Sequence, residues 1–108
     1  MQKVVKPWGY EIWFAQTDKY VGKLLYIKKG YRLSLQYHEV KDETLYILSG
    51  IVDVTVGNTV KRMTSGEGFR IFSGTKHRME AIEDATLIEV STPEIDDVVR
   101  LEDDYGRV

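Results

Sequence analysis

The amino-acid sequence predicts an all-β fold, a sandwich or small barrel of short strands, on three observations. Helical periodicity is almost absent. Runs rich in Val, Ile, Leu and Tyr recur at intervals of about ten residues, with glycine turns between them. Within several runs apolar and polar residues alternate, as they do along a strand with one buried face.

Taken in order, the first strand is predicted at 10–14, because Pro7 ends any regular element before it. A polar turn at 16–19 leads to a strand at 21–28, closed by Gly30. The run 33–38 puts Leu33, Leu35 and Tyr37 on one face and Ser34, Gln36 and His38 on the other. A charged turn at 39–42 precedes a strand at 43–48, which ends at Ser49-Gly50. Val52, Val54 and Val56 oppose Asp53 and Thr55, and Gly57-Asn58 follows, so 51–63 is the clearest hairpin. Further strands are expected at 69–72, 77–82 and 86–91, with turns at 65–68, 73–75 and Glu83-Asp84. Pro93 stops the last of nine or ten strands. The acidic remainder is expected to dock, because Ile95, Val98, Val99, Leu101 and Tyr105 need cover.

Nothing in the 108 residues reads as a linker, so a single domain spanning 1–108 is expected. A net charge of -2, with acids and bases mixed along the chain, offers no field for nucleic acid or an anionic membrane. A small molecule is then the default ligand. The absence of cysteine excludes disulfides, thiolate zinc sites and cysteine nucleophiles together. No run approaches the roughly 20 apolar residues that span a bilayer, and no apolar leader opens the chain, so a cytoplasmic location is expected.

The chemistry concentrates in GYRLSLQYHEVKDETLYILSG, from Gly30 to Gly50, and GEGFRIFSGTKH, from Gly66 to His77. Gln36 and His38, two residues apart on a strand, share a face, and the turn at 39–42 returns Glu43 beside them. His77 would join them through tertiary folding. Two imidazoles, a carboxylate and an amide oxygen suit one divalent transition metal ion such as zinc, iron, nickel, cobalt or manganese. Equally, on spacing alone, these are hydrogen-bonded polar residues of a strand face.

The two stretches resemble the two motifs of the cupin superfamily. The first matches at Gly30, Gln36, His38, Glu43 and Gly50, with Gln36 where the family pattern has histidine; the second matches at Gly66, Gly74 and His77. It departs at Phe72, where proline is usual, and at Ala81, where asparagine is expected. Four further pieces, KPWGYE, LSLQYH, HRMEA and DDVVRLEDDYGR, are similar to the cupin domain of mannose-6-phosphate isomerases fused to GDP-mannose pyrophosphorylases. The resemblance implies a double-stranded β-helix, or jelly-roll barrel, with Gln36, His38, Glu43 and His77 as metal ligands. Those isomerases commonly carry glutamine at the position of Gln36. They are histidine-rich after the LSLQ piece, whereas this chain continues Glu39, Val40, Lys41, Asp42. The likeness is to the cupin part alone, so no pyrophosphorylase activity is expected.

The implied reaction is metal-dependent isomerisation or epimerisation of a sugar or sugar phosphate, with the metal orienting the substrate oxygens as an enediol forms. A non-catalytic metal- or carbohydrate-binding module and an iron-dependent dioxygenase are the alternatives on this fold. Lys41, Glu67 and Glu80 are candidates for the base, although parity turns Glu80 away from His77. Arg78 and Arg107, the latter in the DDYGR piece, are candidates for holding a phosphate, ahead of Arg70 and Arg100. Tyr46, with Tyr10, Trp13 and Tyr37, could line a sugar-sized cavity. Trp8 is expected against a second copy, since small cupins usually pair and a homodimer follows. Glycoside hydrolysis and phosphate-loop chemistry find no residues at the spacing they need.

Overall fold

Eleven strands and no helix make up the computed structural model, which describes residues 1–108. They are β1 (Gln2–Lys6), β2 (Gly9–Gln16), β3 (Val21–Ile27), β4 (Leu35–Tyr37), β5 (Glu43–Ser49), β6 (Ile51–Val56), β7 (Thr59–Thr64), β8 (Gly68–Ile71), β9 (His77–Ala81), β10 (Ala85–Ser91) and β11 (Val99–Glu102). All pairings are antiparallel, in a six-stranded sheet ordered β1-β2-β3-β10-β5-β8 and a five-stranded sheet ordered β11-β4-β9-β6-β7. The chain thus folds as the double-stranded β-helix expected.

Alternation decides what lies between the sheets. On β5, Glu43, Leu45 and Ile47 are buried while Thr44, Tyr46 and Leu48 are exposed. On β10, Ala85, Leu87, Glu89 and Ser91 point inward. One end of the interior is a closed apolar core containing Leu25, Ile27, Leu45, Ile47, Val52, Val54, Met79 and Leu87. Gly50 makes the corner between β5 and β6 with φ +93°, and a Cβ there would collide with the Asp84 carbonyl, so glycine is required.

Five expectations need correction. The first strand is β1, not the run at 10–14, because Pro7 occupies the turn of a hairpin pairing Lys6 with Gly9. Only Leu35–Tyr37 of the run 33–38 is strand. Leu33 does not face away from His38: its N–H donates to the Met79 carbonyl at 2.9 Å and its side chain is buried in the core. Trp8 is 2% exposed and packs in the same core, rather than being left for a partner chain. Finally, the tail docks, but as the edge strand β11 against β4, with Tyr105 packed on the core and its hydroxyl donating to the Arg32 carbonyl at 2.8 Å.

Candidate functional site

At the other end of the interior the inward positions carry charge. Gln36 on β4 is directly paired with His77 on β9, so the two side chains stand on the same face about 5 Å apart at Cβ. His38 follows β4, and Glu43 opens β5 across the turn at 39–42. His38 Nε2 lies 3.7 Å and His77 Nε2 3.5 Å from Glu43 Oε1, with all three side chains buried.

Each imidazole has a defined tautomer. His77 Nδ1–H donates to the Thr75 carbonyl at 2.9 Å, and His38 Nδ1–H donates to the Asp97 carbonyl. Both Nε2 atoms therefore aim a lone pair inward, and both are buried without a hydrogen-bond partner. Two lone pairs facing a carboxylate repel unless a cation sits between them. Donors about 2.1 Å from one ion stand about 3.0 to 3.4 Å from each other, so gaps of 3.5 and 3.7 Å need only slight closure. The residues fit a divalent metal. Gln36, whose Oε1 accepts from the Ser34 hydroxyl at 3.2 Å, borders the same space and could add a fourth ligand.

The turn is held by a residue whose role the sequence reading missed. The Asp97 carboxylate accepts backbone N–H bonds from Glu39 at 3.0 Å, Val40 at 2.7 Å and Lys41 at 2.8 Å, and these hold its carboxyl below the usual range. The same residue supplies the carbonyl that orients His38. Arg70, paired with Asp42, secures the far side of the turn.

A cavity of about 640 Å³ opens beside the cluster. Its polar lining follows from cross-strand register, because Trp13, Lys23 and Glu89 are direct neighbours on β2, β3 and β10. Lys23 Nζ lies 4.5 Å over the Trp13 ring and 3.7 Å from Glu11 Oε1, which also accepts from Trp13 Nε1–H at 2.9 Å. Lys41 Nζ bridges Glu43 Oε2 at 3.0 Å and Glu89 Oε2 at 3.2 Å. Burial pulls the Lys41 ammonium down, but the Glu89 and Glu43 charges outweigh it and hold it above its ordinary value. For Glu43 burial acts upward, yet the Lys41 ammonium beside it keeps the carboxyl well below the carboxylate range. Glu89 goes the other way: burial and the Glu43 charge push it up against Lys41 and Lys23. A detectable signal for Glu89 and Lys23 was present, since both share parity with apolar neighbours, Leu87 and Leu25, on strands that are otherwise buried.

Gln36, His38, Glu43 and His77 thus come together, and Lys41 joins them. Of the other candidates Trp13 and Arg100 line the cavity, and the rest stay outside it. Arg78 Nε donates to the Leu33 carbonyl at 2.9 Å and its NH1 is 3.5 Å from Glu102, which commits it to the tail. Tyr46 is on the outer face of β5, 45% exposed, and Tyr10 stacks on Tyr26 with ring centroids 5.2 Å apart. Glu67 accepts from Thr64 at the base of a turn, and Glu80 has the outward parity of β9. Arg107 donates two hydrogen bonds to the Asp103 carboxylate, at 2.9 and 3.0 Å, and borders a small adjoining cavity. Of the four aromatic candidates only Trp13 lines the large cavity.

The family described as Mannose-6-phosphate isomerase C-terminal matches residues 1–103. The chain is 34% identical over 111 aligned residues to the xanthan biosynthesis protein XanB of Xanthomonas campestris, covering 98% of itself and 24% of that protein. It is 36% identical over 112 residues to the mannose-1-phosphate guanylyltransferase ManC of Salmonella typhimurium, covering 99% of itself and 23% of that protein. The chain therefore spans about a quarter of the length of these relatives. Among solved structures, KdgF from Halomonas sp. superposes with a TM-score of 0.81 at 22% identity, over 89% of each chain, a likeness of fold. With a family match over nearly its whole length and a jelly-roll barrel that carries both motifs, the chain belongs to the mannose-6-phosphate isomerase C-terminal family of cupin domains.

Proposed function

We propose that this domain is a metal-dependent sugar isomerase that interconverts an aldose and a ketose. The observation that carries the reading is the pair of unpartnered Nε2 atoms facing Glu43 beside a cavity that also holds a buried carboxylate, Glu89. His38, Glu43 and His77, with Gln36, would hold the ion. When bound, a divalent metal supplies a Lewis acid that polarises the sugar carbonyl.

The chain's own groups supply the rest. Glu89 is the base: its carboxyl, raised by burial, accepts the C2 proton of the aldose. The C–H electron pair becomes the C1=C2 bond of an enediol while the carbonyl electrons move to O1, which takes up a proton. Return of the carried proton to C1, with loss of the O2 proton, completes the ketose. Lys41 positions Glu89 and keeps it apart from Glu43. Trp13 offers a ring face at the cavity wall.

The test is to load the purified protein with each candidate divalent metal, incubate it with mannose 6-phosphate and related aldoses, and follow ketose formation. Metal-dependent turnover, abolished by a chelator, is expected. Stoichiometric metal with no turnover across the panel would instead make the domain a binding module. Elemental analysis of His38→Ala and His77→Ala checks the site, and full metal content in both variants would refute it. Pairing of two copies through the outer face of the six-stranded sheet, where Phe14, Tyr46 and Val90 are exposed, is tested by the solution mass.

A further inference from the structure

The cavity has a second pole, opposite in charge to the ligand cluster. Arg100 on β11 is the direct cross-strand partner of Gln36, which is the direct partner of His77. The three therefore share one inward row. Neighbouring strands lie about 4.8 Å apart, so the Arg100 backbone stands about 10 Å from that of His77. Lys6, at the end of β1, borders both the large cavity and its small neighbour, as Arg100 does.

Neither cation has a carboxylate of its own. Arg100 makes no hydrogen bond or ion pair, and its Nε is buried without a partner. The acids closest to it in charge, Asp103 and Glu11, are committed to Arg107 and to Lys23 with Trp13. Burial pulls both Lys6 and Arg100 down, and Arg107 adds to this at each, Lys23 at Lys6 as well. Holding partly buried positive charges near one another without counterions is costly, and a bound dianion is what relieves it. A phosphate monoester carries close to two negative charges at neutral pH.

We propose that Arg100 and Lys6 form a phosphate subsite, which seats a sugar phosphate with its reacting carbons toward His38, Glu43 and His77 and its phosphate toward β11 and β1. The inference rests on the isomerase reading for the orientation of the sugar, but not for the anion contact. A planar guanidinium with a free Nε–H suits two phosphate oxygens at once. Arg107, held by Asp103, lines the small cavity that Arg100 and Lys6 also border.

Calorimetric titration of the wild-type protein with mannose 6-phosphate and with mannose, both metal-loaded and chelator-treated, tests it independently of turnover. The phosphorylated sugar is expected to bind at least about tenfold more tightly in both forms. Arg100→Gln is expected to lose about 10- to 100-fold of that preference, Lys6→Gln less, and Arg62→Gln, on the opposite sheet edge, none. Should Arg100→Gln fail to fold, the half-buried, unbonded Lys6 decides alone. Equal affinity of the wild type for the two sugars, or a preference retained in the folded Arg100 and Lys6 variants, overturns the subsite. Absent turnover with the preference intact overturns the isomerase reading and leaves the subsite standing.

Discussion

Lys23 and Leu25 sit two residues apart on β3 and face the same interior, yet they belong to regions built on opposite principles. At the Leu25 end the neighbours across the sheet are Leu87 and Ile47, all essentially without exposure, and the interior is dry packing. At the Lys23 end the neighbour is Glu89, followed by Lys41 and Glu43, and the interior is a cavity lined with charge. The same strands, pleat and register produce both. What differs is that the apolar end stabilises the barrel by area removed from water, while the charged end costs desolvation that ion pairing only offsets. Retaining charge where leucine would fit is the mark of a site shaped for a ligand.

The sharpest way to break this comparison is Glu89→Gln, a nearly isosteric change. It is expected to lower the rate of any isomerisation by about 10²- to 10⁴-fold without moving the unfolding midpoint by much. Unchanged turnover would remove Glu89 as the base. Next in size, Lys41→Met strands two buried carboxylates and is expected to cost about 3–5 kcal/mol in urea unfolding. Replacing Lys41, Glu43 and Glu89 together by apolar residues should be neutral or stabilising by about 1–4 kcal/mol while metal binding is lost. A triple variant less stable than Lys41→Met would show that the charged end carries the fold after all. Leu87→Ala, at the apolar end, is expected to cost about 2–5 kcal/mol, with metal content unaltered by elemental analysis.

The smallest effect concerns the tail. Arg107 holds the Asp103 carboxyl at about 2, below its ordinary 3.8. Because the folded value is the lower one, the stabilisation is fully present above about pH 4 and is lost as pH falls toward 2. Asp103→Asn should therefore flatten the stability profile between pH 4 and 2, by about 1 kcal/mol after solvent screening of Arg107, as read from urea midpoints. An unchanged profile would show that the Asp103–Arg107 pair does not lock the tail.

Local pattern made much of this architecture legible. Alternation at Val52, Val54 and Val56 with the Gly57-Asn58 turn announced the β6–β7 hairpin, and the spacing of Gln36, His38 and Glu43 announced that these three side chains gather at one corner. Both are properties of neighbours in the chain, which the period of a strand and the steric demand of a turn determine by themselves. Arg78 and Tyr46 show where such reasoning ends: each is near a motif in sequence, and each points away from the cavity because strand parity put it on the outer face or a tail carbonyl claimed it.

Residues far apart in sequence needed the fold. Trp13, Lys23 and Glu89 become one row only because β2, β3 and β10 pair in a particular register, and Asp97 reaches back across 59 residues to orient His38. Sequence by itself determined the strands, the corners and the identity of the candidate ligands, since these depend on interactions within a few residues. Tertiary structure alone decided that the two histidines share a tautomer and a target, that Trp8 is core, and that Arg100 faces His77's side of the barrel without a counterion. The physical reason is that burial, pairing and local charge are sums over neighbours in space, and strand register is what chooses those neighbours.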